Sequence, residues 1–126
     1  MRHKHHYSLD EANALCEWVA HQISRIREAD GRLRQQPAAS DAQSRAADGD
    51  GGGYPGREVA VDAVDIYLRM RRLDFMDVIV RDLDRGLVDF PALRDGQEVY
   101  LCWTVGEPSV QHWHDLDAGA AGRHEL

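Results

Sequence analysis

The chain holds a single lysine, Lys4, and only two cysteines, Cys16 and Cys102. No stretch approaches the roughly 20 apolar residues that a bilayer span requires, so no membrane partner is expected. The N-terminus, MRHKHHYSLDEAN, lacks the apolar core of a secretory signal, which makes the cytoplasm the expected compartment. There the two cysteines read as reduced thiols rather than a disulfide. With lysine nearly absent, the cations are arginines, and the net charge is −7. Between Asp77 and Asp117, nine carboxylates face three arginines. Such a field repels a phosphate backbone and excludes nucleic acid as the expected partner. It suits a cation, a basic surface, or simple solubility.

What is present fits one α+β domain over residues 1–126, with 43% hydrophobic residues and room for a modest core. The arm Met1–Tyr7 carries His3, His5 and His6. Clustered histidines can bind a transition metal, but a frayed terminus is the expected state here. Ser8-Leu9-Asp10-Glu11 reads as a capping box, in which the Ser hydroxyl and the Glu carboxylate each satisfy an orphan N–H. Apolar residues at helical spacing from Leu9 to Leu33 then predict a helix over 8–35. At about 1.5 Å per residue it spans roughly 40 Å, more than a small sheet covers. That excess predicts pairing of long helices and a homodimer formed through them. Cys16 reads as a core thiol and His21 as a solvated residue on this helix.

Residues 36–56 contain Pro37, Pro55 and five glycines without apolar periodicity, which predicts a flexible linker. Its GDGGGYPG segment lacks both a preceding strand and the Gly-Lys-Ser/Thr ending of a phosphate loop. A second helix is expected over 57–75, with Val61, Val64 and Leu68 on its apolar face and Arg69, Arg71 and Arg72 near its C-terminal end.

From residue 77 the period becomes alternating. Strands are expected over 77–81, over 87–90 with Pro91 ending it, over 98–105, and over 110–114. Asp84-Arg85-Gly86 and Arg94-Asp95-Gly96 supply turns. In the longest strand Leu101, Trp103 and Val105 point one way, and Tyr100, Cys102 and Thr104 the other. The fold expected is a long antiparallel helical hairpin packed with an antiparallel sheet of three to four strands.

The strings GLVDFPALRDG, EVYLCW, GEP, WHDLDAG and GR, together with SLDEANAL, resemble the bacterial family known as domain of unknown function 2203. That family is uncharacterised, so the resemblance implies neither an activity nor a cofactor. It carries over Asp82, Asp84, Asp89, Cys102, Trp103, Glu107, Trp113, His114, Asp117 and Arg123, along with Phe90, Pro91 and the turn glycines. His112 lies outside the matched pattern.

Among these residues, His112 and His114 share one face of a strand, about 7 Å apart along the chain. Glu107, Asp115, Asp117 and the Asp82/Asp84 pair could add oxygen ligands. Histidine with carboxylate suits Zn, Mn or Fe(II), which makes a divalent-metal-binding protein one reading. In the other reading, His114 and Asp117 are structural pins for the Gly-rich tail of a non-catalytic interaction protein. Cys102 as a nucleophile would need His114 as its base, and no oxyanion donor is identifiable. Arg123 reads as the ion-pair partner of a carboxylate. Substrate and reaction are not readable from the residues.

Overall fold

The computed structural model describes residues 1–35 and 55–126. The expected linker therefore lies outside the described residues, apart from Pro55 and Gly56, which belong to the second helix. The elements are α1 (Leu9–Gln35), α2 (Pro55–Phe75), β1 (Ile79–Asp82), β2 (Leu87–Arg94), β3 (Gln97–Thr104), β4 (His112–Asp115), a short 3-10 turn (Ala120–Gly122) and β5 (His124–Glu125). The fold is α+β, and its sheet has five strands rather than three to four. All neighbours pair antiparallel in the order β1-β2-β3-β4-β5. The described chain separates into two compact units, Met1–Ile23 with Arg72–Leu126, and Ser24–Arg71.

α1 begins as its capping box dictates. The Ser8 N–H donates to Glu11 Oε1 at 3.0 Å, and the Glu11 N–H donates to Ser8 Oγ at 3.1 Å. α2 starts two residues earlier than expected. Its first residue is Pro55, whose missing N–H is an orphan at a helix start in any case. It ends where Asp77, at φ 57°, takes the left-handed position that glycine usually fills. The Val78 N–H then returns to the Leu73 carbonyl at 3.0 Å.

The sheet departs from expectation at Pro91, which does not end β2. β1 pairs only as far as Asp89, so beyond that point one edge of β2 is free of β1. The Pro91 carbonyl points to that edge and accepts the Tyr7 N–H at 2.7 Å. The amide nitrogen of a strand residue faces the same side as its carbonyl, so no ladder bond to β3 needs the missing proton. β2 continues to Arg94, paired with Gln97 on β3. Asp95 and Gly96, both at positive φ, close this hairpin as an Asp-Gly pair should. β5, two residues long, was too short to show as alternation.

The sheet register sorts side chains onto two faces. Val88, Phe90, Ala92, Val99, Leu101 and Trp103 form an apolar face, all buried. Tyr7 lies against it, its ring 5.4 Å from that of Phe90 and its hydroxyl donating to the Met76 carbonyl. The other face carries Asp89, Tyr100, Cys102, His112 and His114.

Candidate functional site

The polar face is organised by the small side chain of Cys102. Asp89 on β2 and His112 on β4 both stand directly opposite Cys102 on β3, and His114 stands opposite Tyr100. β2 and β4 are two strand spacings apart, about 9.5 Å. Only a small residue between them lets longer side chains meet above it. They do meet: the Asp89 Oδ1 to His114 Nε2 distance is 3.0 Å. The other carboxylate oxygen, Oδ2, accepts from Arg81 Nε at 2.8 Å. Arg81 occupies the irregularity between Val80 and Asp82 on β1, the kind of bulge that re-aims a side chain.

His114 Nδ1 lies 2.8 Å from the Asp115 carbonyl oxygen. A carbonyl only accepts, so Nδ1 carries a proton and donates it. One further proton lies between Nε2 and Asp89. Asp89 and His114 are each 1% exposed, and every polar atom of the pair has a partner. Such a network is satisfied rather than strained.

Cys102 is fully buried. Burial, followed by the charge of Asp89, pushes its thiol up to about 11, against the opposing pull of Arg123. Both His114 nitrogens are committed elsewhere, so the thiol has no base and is not poised as a nucleophile. Burial likewise pushes the Cys16 thiol up to about 11, and that thiol donates to the Ala12 carbonyl.

The metal set expected from sequence is divided by the fold. His114 joins Asp89 and Cys102. Among the described residues, these three are the His/Cys/Asp/Glu group whose ligand atoms gather, all within 4.8 Å of one another. Glu107 instead accepts the Thr104 N–H at 2.7 Å and Arg123 at 3.3 Å. Burial alone would raise the Glu107 carboxyl, but these donors outweigh it and hold it below its usual range. His112 Nδ1 is 3.6 Å from Glu107 Oε2, buried and without a hydrogen bond. Asp117 is exposed and meets Arg2 at 3.3 Å. The Asp115 side chain is exposed, and only its carbonyl serves His114. Asp82 accepts the Arg85 N–H in the first turn, where Asp84 is exposed. The Trp103 indole donates to the Glu107 carbonyl, and Trp113 lies under Arg94, 4.6 Å from ring centroid to guanidinium. Arg123 pairs with Glu107, as expected, and its NH1 is 3.9 Å from Cys102 Sγ.

The N-terminal arm is not frayed. Glu98 accepts the His3 N–H at 3.0 Å, the Arg2 N–H at 2.8 Å and the His6 ring at 3.0 Å. Those bonds, the His3 amide first, pull the Glu98 carboxyl down to about 2. His3 Nε2 also reaches the Tyr100 hydroxyl at 2.6 Å. The roles of Glu98 and Arg81 were not visible in the sequence, because each depends on a residue far away along the chain.

The second unit offers a different surface. Around α2, Arg57, Ala60, Val61, Val64, Tyr67, Leu68 and Arg71 share one side by helical spacing, and all are exposed. Val61 is 60% exposed, Val64 56%, Tyr67 61% and Leu68 46%. The less exposed side carries Val59, Asp62, Ile66 and Arg69. There Asp62 accepts a two-pronged bond from Arg32 of α1, with contacts of 2.9 and 3.0 Å. A groove of about 420 Å³ runs along the exposed side, lined by Arg57, Ala60, Val61, Val64, Asp65 and Leu68. Among the described residues no helix is long and apolar enough to cross a membrane.

The family model described as "Uncharacterized conserved protein (DUF2203)" matches residues 5–126, nearly the whole chain. The chain belongs to that family. The family match takes in the arm from His5 onward, α1, α2 and every strand of the sheet. No curated protein matches the chain, and no solved structure does.

Proposed function

We propose that this member of the family is a non-catalytic self-association module, a homodimer formed through the exposed side of α2. One observation carries the reading: the more apolar side of α2 is the side turned to solvent. A monomeric helix normally does the reverse. Contiguous exposed apolar patches of this kind mark interaction surfaces. The motive read from the sequence was the long stripe of α1, but Ala12, Val19, Ile23 and Ile26 of that stripe are fully buried within the chain. Of the two helices, α2 leaves the larger apolar stripe exposed: Val61, Val64, Tyr67 and Leu68, against Leu9 at the start of α1.

A second copy fits the groove because the stripe is self-complementary. Two α2 helices related by a two-fold axis between Val61 and Val64 set Val61 of one against Val64 of the other. The same pairing brings Arg57 within a helical turn of Asp65 of the second copy, twice over, as an isologous contact requires. Both residues line the groove and carry opposite charge, and Asp65 also holds Arg69 of its own helix at 3.1 Å, so Arg57 of the second copy would share that carboxylate. One helix pair buries less than the roughly 800 Å² per partner of a standard interface. Dissociation on dilution is therefore the expected behaviour.

Light scattering over a wide concentration range tests the reading. The expected mass climbs from one chain toward two, and Val64→Glu holds it at one chain with an unchanged far-UV spectrum. A wild-type mass of one chain at every concentration would remove the proposal, as would a dimer that survives Val64→Glu.

A further inference from the structure

We infer that Asp89, Cys102 and His114 form a site for a divalent transition metal bound through a thiolate, with His112 as fourth donor. The inference is independent of self-association. It keeps His114 and His112 from the sequence-derived set and replaces Glu107, Asp115 and Asp117 with two buried residues.

The donor set carries it. One nitrogen, one sulfur and one oxygen lie within 4.8 Å of one another in a fully buried position on three adjacent strands. That N/S/O mixture suits Zn or Co(II) in tetrahedral geometry. Bond lengths of about 2.0–2.3 Å place tetrahedral ligand atoms roughly 3.3–3.6 Å apart. His114 Nε2 and Asp89 Oδ1 are already at 3.0 Å, and the Cys102 sulfur lies within 4.8 Å of the other two ligand atoms.

The surroundings of the three ligands match what such a site needs. His114 donates Nδ1–H to a backbone carbonyl, which fixes the ring and turns Nε2 toward the other two ligands. Arg81 holds the non-ligating oxygen of Asp89. Arg123 stands 3.9 Å from Cys102 Sγ, a cation beside a prospective thiolate. A second, separate observation concerns the fourth position. His112 stands opposite Cys102 on the same face, and its Nδ1 is the one buried side-chain polar atom among the described residues without a hydrogen-bond partner; it lies 3.6 Å from Glu107 Oε2, outside the gathered group, and enters the shell by turning from that carboxylate.

The exchange balances. The metal replaces the thiol proton of Cys102 and the proton held between His114 Nε2 and Asp89 Oδ1. Two protons leave to solvent for each ion bound. Two charges arrive and two are released, so the buried face keeps its net charge.

Cobalt(II) added to the reduced, full-length chain is the test, because thiolate ligation gives a sulfur-to-cobalt charge-transfer band that nitrogen and oxygen ligands cannot give. The N-terminal histidines therefore cannot imitate it. The expected result is one cobalt per chain with that band, kept in Cys16→Ser and lost in Cys102→Ser. His112→Ala is expected to weaken binding at least tenfold. Calorimetry in buffers of different ionisation heat should return two protons per ion. A wild-type chain that shows no charge-transfer band overturns the site, whatever the variants do. A band that survives Cys102→Ser overturns it equally.

Discussion

Two surfaces of this molecule break the usual sorting of residues in opposite directions. On one face of the sheet, Asp89 and His114 are buried and every polar atom of the pair is bonded. On the solvent side of α2, Val61, Val64 and Leu68 are about half exposed. The first surface is polar and shut, and the second is apolar and open. A buried charge without a partner costs several kcal/mol, so the shut face must be completed within the chain. An exposed apolar stripe costs far less per residue, so the open face can wait for a second copy. The difference separates a face that must be completed for the chain to fold from one that folding leaves open, the face proposed to meet a second copy.

Substitutions at the two surfaces should therefore diverge. The largest effect is expected at Asp89. Asp89→Asn leaves Arg81 and the buried His114 without their anion, and urea unfolding should show a loss of about 3 kcal/mol. Val64→Glu, measured in dilute solution where the chain is single, should change stability by no more than about 0.5 kcal/mol. Equal losses at both positions would break the comparison.

A smaller effect follows from the geometry of Cys102. Cys102→Leu places a longer side chain between Asp89 and His114, and overpacking of this kind costs about 1–3 kcal/mol in the same assay. Cys102→Ala should be milder, since it leaves the two free to meet.

The arm supplies a pH test. The Glu98 carboxyl is drawn down to about 2 from 4.5 by the His3 and Arg2 amides and the His6 ring. A depressed carboxylate contributes stability that is complete above its unfolded value and is lost as pH falls from about 4.5 toward 2. Thermal melts across that window should fall less steeply in Glu98→Gln than in wild type. The smallest signal is chemical: with both thiols raised to about 11, native Cys102 should resist alkylation at pH 8 and react only on unfolding.

Much of the framework was readable locally. The capping box at Ser8–Glu11, the Asp95-Gly96 turn and the alternation of Leu101 and Trp103 against Tyr100 and Cys102 depend on neighbours in sequence, and all hold. The apolar face of α2 was readable as a stripe, but spacing cannot say whether a stripe turns inward or outward. Asp62 facing Arg32 decided that, across a separation of 30 residues. The candidate site was legible only as parts. Asp89, Cys102 and His114 each belong to the family resemblance, yet their meeting requires the register of three strands. Glu98 gave no local signal, because its donors come from the first six residues of the chain.

The open side of α2, and not the outer side of α1, is the surface proposed to meet a second copy. Dipolar spectroscopy between spin labels tests it directly, with one label per chain on a Cys16→Ser background. A label at Ala60, beside the proposed two-fold axis, should give a single short distance that disappears on dilution. A label at the exposed Glu28 of α1 should give only long distances or none. No dipolar coupling at Ala60 at high concentration, or a short distance at Glu28, would rule out pairing through α2.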